Sequence, residues 1–220
     1  MIKLIIFDLD GTLLNTIDDL GNSCNHILEK YNYPVHPLDS YRYFVGNGIS
    51  KLIERALPET ERNPEFVEKL RKEFIKYYSE HSEDRTTPYP GVVKMLKDLE
   101  AMDIKLAVAS NKFISGTRAL VQKYFGDIRF VSVLGQREGV AVKPDPRIVY
   151  DTMEGSGIQN KNEILYVGDT GIDMKTARNS GIEGIGVLWG FRPEKELKDA
   201  GAVYIVKEAE EIIEIVQSKS

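Results

Sequence analysis

Cysteine is almost missing from the 220-residue chain: the single Cys24 rules out an intrachain disulfide and any multi-cysteine zinc site. Cys24 falls within a helical pattern, so the expected role is that of a small buried packing residue. No apolar run approaches membrane-spanning length. The first residues enter a strand pattern at once, without a basic region followed by a signal-like apolar segment. Together these absences lead to the expectation of a cytoplasmic protein with no membrane partner. There is no basic block either: 29 Lys and Arg are interspersed among 34 Asp and Glu, for a net charge of −5. That balance argues against a nucleic-acid partner. Internal repeats and low-complexity segments are lacking too. What remains is ordinary globular material, 42% hydrophobic, longer than one typical domain and short for two large ones.

One stretch dominates. Leu4, Ile5, Ile6 and Phe7 form an uninterrupted apolar run, as expected of a strand buried on both faces. It ends in Asp8 and Asp10, then Gly11 and Thr12. If the strand continues through Asp10, both acids share a face; if it breaks first, both still lie at the carboxyl edge of a sheet. In open α/β sheets ligands bind at that edge. Two close carboxylates repel each other, and a bound cation is the common remedy. Solvated turn acids are the alternative reading.

After Leu13 the pattern turns helical, with Ile17, Leu20, Cys24, Ile27, Leu28 and Tyr31 on one side and Asp18, Asp19, Glu29 and Lys30 elsewhere. Pro34 and Pro37 break this helix, and two more are expected over about 49–57 and 64–81. No strand-like alternation occurs between Asn15 and Asp84, so this region reads as an all-helical insertion. Thr86 to Gly91, with Pro88 and Pro90, reads as an extended linker. A helix with Val93, Leu96 and Leu99 on its apolar side follows. Strands are then expected at 104–109, 130–134, 164–167, 184–188 and 203–206, alternating with helices. That alternation implies an α/β, doubly wound parallel-sheet, Rossmann-like core. The expected division is a core of 1–14 and 86–220 and a helical cap of 15–85.

The residues after each strand converge on one edge. The strand ending at Ala109 delivers Ser110, Asn111 and Lys112, a set suited to holding an anion but equally able to cap a helix. Lys143 lies in a segment stiffened by Pro144 and Pro146. Asp169 follows the next strand, and Asp173 starts a helix, where it could serve merely as a cap. Four carboxylates, a hydroxyl with an amide, and a lysine suit Mg²⁺ and phosphate oxygens. A carboxylate near both can attack phosphorus.

In order and spacing these motifs resemble those of the haloacid dehalogenase-like superfamily. That resemblance implies that Asp8 is a nucleophile forming an aspartyl-phosphate, and Asp10 the general acid and then base. It implies that Ser110 and the Asn111 amide hold the phosphoryl group, helped by Thr12, and that Lys143 neutralises charge. Mg²⁺ would be ligated by Asp8, Asp169 and the Asp10 backbone carbonyl, with Asp173 acting through water or orienting Lys143. An acid at Asp10 argues against dehalogenation. The Phe44–Ile49 segment, with Gly46, Asn47 and Gly48, is similar to the substrate-facing cap loop of phosphoglycolate phosphatase-like proteins; a simple turn before a helix is the alternative. Asn15 departs from the Asp common there in the superfamily.

The expected activity is Mg²⁺-dependent hydrolysis of a small phosphate monoester, with 2-phosphoglycolate first and inorganic pyrophosphate or a sugar phosphate next. A β-phosphoglucomutase-like isomerase and a non-catalytic phospho-acceptor regulator are the alternatives. No large partner is implied, and the chain is expected to be a monomer or homodimer.

Overall fold

Four apolar residues without polar alternation need cover on both faces, and β1 (Leu4–Phe7) is completely buried. The computed structural model describes residues 1–219. After β1 come β2 (Leu14–Asn15), α1 (Ile17–Lys30), α2 (Tyr41–Phe44), α3 (Ile49–Ala56), α4 (Pro64–His81) and β3 (Thr87–Pro88). Next are α5 (Val92–Ala101), β4 (Lys105–Phe113), α6 (Ile114–Phe125), β5 (Phe130–Gln136), α7 (Arg147–Ser156) and β6 (Ile164–Gly168). The chain closes with α8 (Gly171–Ser180), β7 (Glu183–Val187), α9 (Glu194–Ala200), β8 (Tyr204–Val206) and α10 (Glu210–Ser218).

Six strands form one parallel sheet in the order β5-β4-β1-β6-β7-β8. The chain runs outward from β1 through β4 to β5, then returns to β6 on the opposite side. The order therefore reverses at β1, and a crevice opens at its carboxyl end. Alternation along β1 feeds both layers: Ile5 and Phe7 pack with Leu96 of α5, Leu120 of α6 and Ile212 of α10. Leu4 and Ile6 pack with Val149 of α7 and Ala177 of α8 on the other face. The expected α/β core is borne out.

Local expectations needed correction. β4 does not stop at Ala109 but runs on to Phe113, with its register against β5 broken between these two residues. Val92, not Val93, faces the core from α5, together with Met95; Val93 is 36% exposed. The linker is not merely extended, since Thr87–Pro88 pairs antiparallel with Leu14–Asn15. A two-residue ladder and the four-residue α2 are too short to leave any periodic signal.

Helices α1 to α4 lie between β2 and β3 and pack around their own apolar cluster, including Leu20, Ile27, Leu52, Leu70 and Phe74. Phe113 and Phe191, from the sheet side, join that cluster. Asn63 starts α4 by accepting the Phe66 N–H at 2.8 Å, ahead of Pro64 in the first turn. Cys24 is buried as expected, and burial pushes its thiol up to about 12. Among the described residues no helix is long and apolar enough to cross a membrane.

Asp19 also departs from expectation. It sits on the side of α1 opposite solvent, 2% exposed, and accepts from the Arg85 N–H at 3.0 Å, the Thr86 N–H at 2.8 Å and the Thr86 hydroxyl at 2.7 Å. One carboxylate thereby ties the outgoing connection to the returning one. Asp19→Ala leaves buried donors unpaired and should cost on the order of 3 kcal/mol in urea unfolding. Asp18→Ala, next door, should change stability by under about 0.5 kcal/mol.

Candidate active site

The turn after β1 builds the floor of the crevice. β1 ends at Phe7, so Asp8 lies just past the strand, its N–H donating to the Val167 carbonyl at 2.9 Å. The chain then folds back, with Leu13 and Leu14 N–H both donating to the Leu9 carbonyl at 3.0 Å. Gly11 has φ +85°, and a Cβ there would lie 2.2 Å from Asp169 Oδ2. A Cβ on Gly190 would meet the Asp169 Cβ at the same 2.2 Å. Asp169 is thus clamped between two backbones that only glycine lets approach so closely. Its carboxylate accepts from the Phe191 N–H at 2.8 Å and the Thr12 hydroxyl at 3.3 Å.

Lys143 is held with equal care. Asn111 accepts the Lys143 N–H at 2.8 Å and donates to the Lys143 carbonyl at 3.1 Å. The buried ammonium reaches Asp173 Oδ1 at 2.7 Å, Asp8 Oδ1 at 3.0 Å, the Tyr166 hydroxyl at 3.0 Å and the Ala109 carbonyl at 3.0 Å. Asp173 Oδ2 accepts from the Thr170 hydroxyl at 2.7 Å and N–H at 3.1 Å, completing a capping box at the start of α8. The two readings of Asp173 therefore coexist: it caps a helix and positions a lysine.

Charge at this edge is unbalanced. Four acids (Asp8, Asp10, Asp169 and Asp173) face two ammonium groups, Lys143 and Lys112, a formal excess of two negative charges when every acid is ionised. Carboxylate oxygens of Asp8, Asp169 and Asp173 lie within 4.8 Å of one another, all buried. Burial pushes Asp8 up to about 7, with the charges of Asp173 and Asp10 adding to the shift against the pull of Lys143. Burial, then Asp173 and Asp8, raise Asp169 well above the usual carboxylate range. Burial opposes the charge of Lys143, yet Asp173 and Asp8 overcome it and hold its pKa well above that of a free lysine. A rigid, all-oxygen cluster two charges short of neutrality is chemically fitted to a hard divalent cation.

The carboxylate of Asp10 stands outside that cluster. It accepts from Lys112 Nζ at 3.0 Å and from the Thr16 hydroxyl at 2.7 Å. Beside it opens a pocket lined by Asp8, Asp10, Ser110, Asn111, Gly46 and Gly48, among others. Gly46 meets the core directly, its carbonyl accepting from the Asn111 side chain at 2.9 Å. Asn47 is not in the lining; its side-chain oxygen accepts from Arg55 at 2.7 Å. The Asn111 carboxamide is spent on Lys143 and Gly46. Sequence reading named Lys112 with Ser110 and Asn111 but gave its side chain no role, and did not single out Thr16, Tyr78 or Tyr166. Lys112 was visible beside Ser110 and Asn111, but nothing local told which way it points.

A divalent cation should raise the melting temperature by several degrees at a hundredfold excess over its Kd, worth about 2.7 kcal/mol. The sign of the pH effect follows from Asp8. Its pKa is raised on folding, so the cation-free protein loses stability as pH rises from about 4 through about 7. The cation needs the carboxylates deprotonated. The thermal shift should therefore be larger near pH 8 than near about pH 5, which differential scanning fluorimetry would measure.

Known proteins resemble this chain in sequence and fold. The sequence profile of the haloacid dehalogenase-like hydrolases matches residues 5–187. A phosphoglycolate phosphatase of Mesorhizobium japonicum is 33% identical over 190 residues, covering 86% of this chain and 83% of its own. A phosphoglycolate phosphatase of Pasteurella multocida is 30% identical, covering 98% of both chains. A crystal structure from Lactobacillus delbrueckii subsp. bulgaricus superposes with a TM-score of 0.90 at 31% identity, covering 97% of this chain and 98% of that one. With the profile spanning most of the chain, from before Asp8 to beyond Asp173, the protein belongs to the haloacid dehalogenase-like hydrolase family.

Proposed function

We propose that the chain is a Mg²⁺-dependent phosphatase that hydrolyses a small phosphate monoester through an aspartyl-phosphate on Asp8, with 2-phosphoglycolate as the leading substrate. The carrying observation is Lys143, whose ammonium spans Asp8 at 3.0 Å and Asp173 at 2.7 Å within a three-carboxylate cluster, one member of which, Asp8, lines the pocket. The substrate assignment leans on the names of the relatives, at identities of about a third.

In this reading an Asp8 oxygen attacks phosphorus, and the bond from phosphorus to the leaving alkoxide breaks. Asp10 gives that oxygen a proton, then takes one from the water that attacks the phosphoaspartate and releases inorganic phosphate. Ser110 and the backbone N–H of Asn111 hold the phosphoryl oxygens, and Thr12 steadies Asp169. Lys143 pulls Asp8 towards its ionised form, against burial, and orients it. Mg²⁺, held by Asp8, Asp169 and the Asp10 carbonyl with Asp173 behind them, would neutralise charge on the phosphoryl oxygens. Both oxygens of Asp173 are already engaged, which suits a role through water better than direct ligation.

Residues 15–85 act as a cap on a core of 1–14 and 86–220, with the Gly46–Gly48 turn shielding the reacting centre. The contact of Asn111 with the Gly46 carbonyl supports this, since it couples the phosphate-holding strand to that turn. Water excluded from the phosphoaspartate would then be admitted only to the position served by Asp10.

Phosphate release should be measured on 2-phosphoglycolate, pyrophosphate and sugar phosphates, with Mg²⁺ and with chelator. The expected result is Mg²⁺-dependent release that favours 2-phosphoglycolate, falling at least about a thousandfold in Asp8→Asn. Unchanged turnover in that variant would remove Asp8 as the nucleophile, and a phosphorylated sugar isomer without free phosphate would mark an isomerase.

A further inference from the structure

An ammonium group carries three N–H bonds. Lys112 Nζ directs one at the Asp10 carboxylate (3.0 and 3.4 Å to its two oxygens) and one at the Tyr78 hydroxyl, 2.8 Å away. The third N–H has nothing nearer among the described residues than the far Asp10 oxygen at 3.4 Å, a long and weak contact. Tyr78 comes from α4 and is fully buried, and its own O–H likewise has no acceptor among the described residues. Lys112 is only 5% exposed, yet it lines the same pocket as Asp8, Asp10 and Ser110. This is an incompletely used cation at a position of low solvation, where an unpaired donor is costly.

The rest of the wall beside it is apolar: Leu20, Ile49, Leu52, Phe74 and Phe113. The free space is small, about 40 Å³. Lys143 cannot serve a second anion there, being fully engaged by Asp8, Asp173, Tyr166 and the Ala109 carbonyl. If Asp10 protonates the leaving oxygen, a substituent on the adjacent carbon falls beside Lys112, because the two side chains touch.

We propose that Lys112, steadied by Tyr78, is the specificity-determining residue of this pocket, pairing with a carboxylate carried on the carbon next to the ester oxygen. The substrate class is then a two- or three-carbon phosphate ester of a 2-hydroxy acid. This rests on the phosphatase reading above. A neutral leaving alcohol of equal size would occupy the same space but leave that N–H with only its long contact to Asp10.

The test compares kcat/KM for 2-phosphoglycolate and for its neutral counterpart 2-hydroxyethyl phosphate, in wild type, Lys112→Gln and Lys112→Arg. Taking the ratio of variant to wild type on each ester cancels the difference in leaving-group reactivity. Lys112→Gln should lose about 10- to 100-fold more on the acid than on the alcohol, the usual worth of a charged hydrogen bond. Lys112→Arg should keep most of the preference. Inhibition by glycolate should weaken in Lys112→Gln, while inhibition by inorganic phosphate persists and reports an intact site. Equal losses on both esters, with glycolate inhibition unaltered, would reduce Lys112 to a positioning residue for Asp10 and overturn the proposal. Hydrolysis of neither ester by the wild type would instead refute the phosphatase reading, and the proposal with it.

Discussion

A lysine buried to 1% exposure needs anions around it, and the fold is arranged to supply them to Lys143. Its ammonium draws on Asp8 from the end of β1, Asp173 from the start of α8, Tyr166 from β6 and the Ala109 carbonyl from β4. Each comes from a different element, so the ion-paired lysine registers the central strands against one another at their carboxyl ends. Taking away one partner would leave a buried charge uncompensated, which typically costs about 3–5 kcal/mol. The surplus of carboxylate remains even so, and this makes the edge a receptor for further positive charge rather than a closed ion pair.

The second constraint is closeness of backbones. Asp169 fits only because Gly11 and Gly190 carry no side chain, and its two oxygens are then aimed by Thr12 and the Phe191 N–H. Phe191 also packs into the cluster of α1–α4, as Phe113 does. Arg192, next in sequence, donates to the carbonyls of Arg42, Tyr43 and Val45. The helical segment and the acid-bearing edge are thus joined through consecutive residues, and the pocket lies where they meet. A site built on such a seam can change its apolar wall by substitutions in α1, α3 and α4 without disturbing the carboxylates.

Much of this was legible in the sequence, and the reasons are physical. An apolar run ending in Asp8 and Asp10 is a local signal, because a buried strand in a parallel sheet must end at the ligand-binding edge. The β/α alternation located Asp169 and Lys143 at the same edge for the same cause. What escaped depends on contacts between distant segments. Lys112 could not be oriented because β4 loses its register against β5 between Ala109 and Phe113, where the period-two rule fails. Asp19 sits on the polar side of a helical pattern, and its burial arises only because Arg85 and Thr86 pass over it, 66 and 67 residues later. Asn47 has the chemistry of a ligand-binding residue, yet Arg55 claims its side chain, and composition cannot show that.

In the proposed mechanism phosphorus is attacked twice, first by Asp8 and then by water. The stereochemical course at phosphorus tests it most directly, using a small phosphate ester made chiral at phosphorus with oxygen isotopes and sulfur. Two in-line displacements invert the centre twice, so the account predicts net retention in the released thiophosphate. Net inversion would mean a single direct attack by water, and would contradict a covalent intermediate on Asp8.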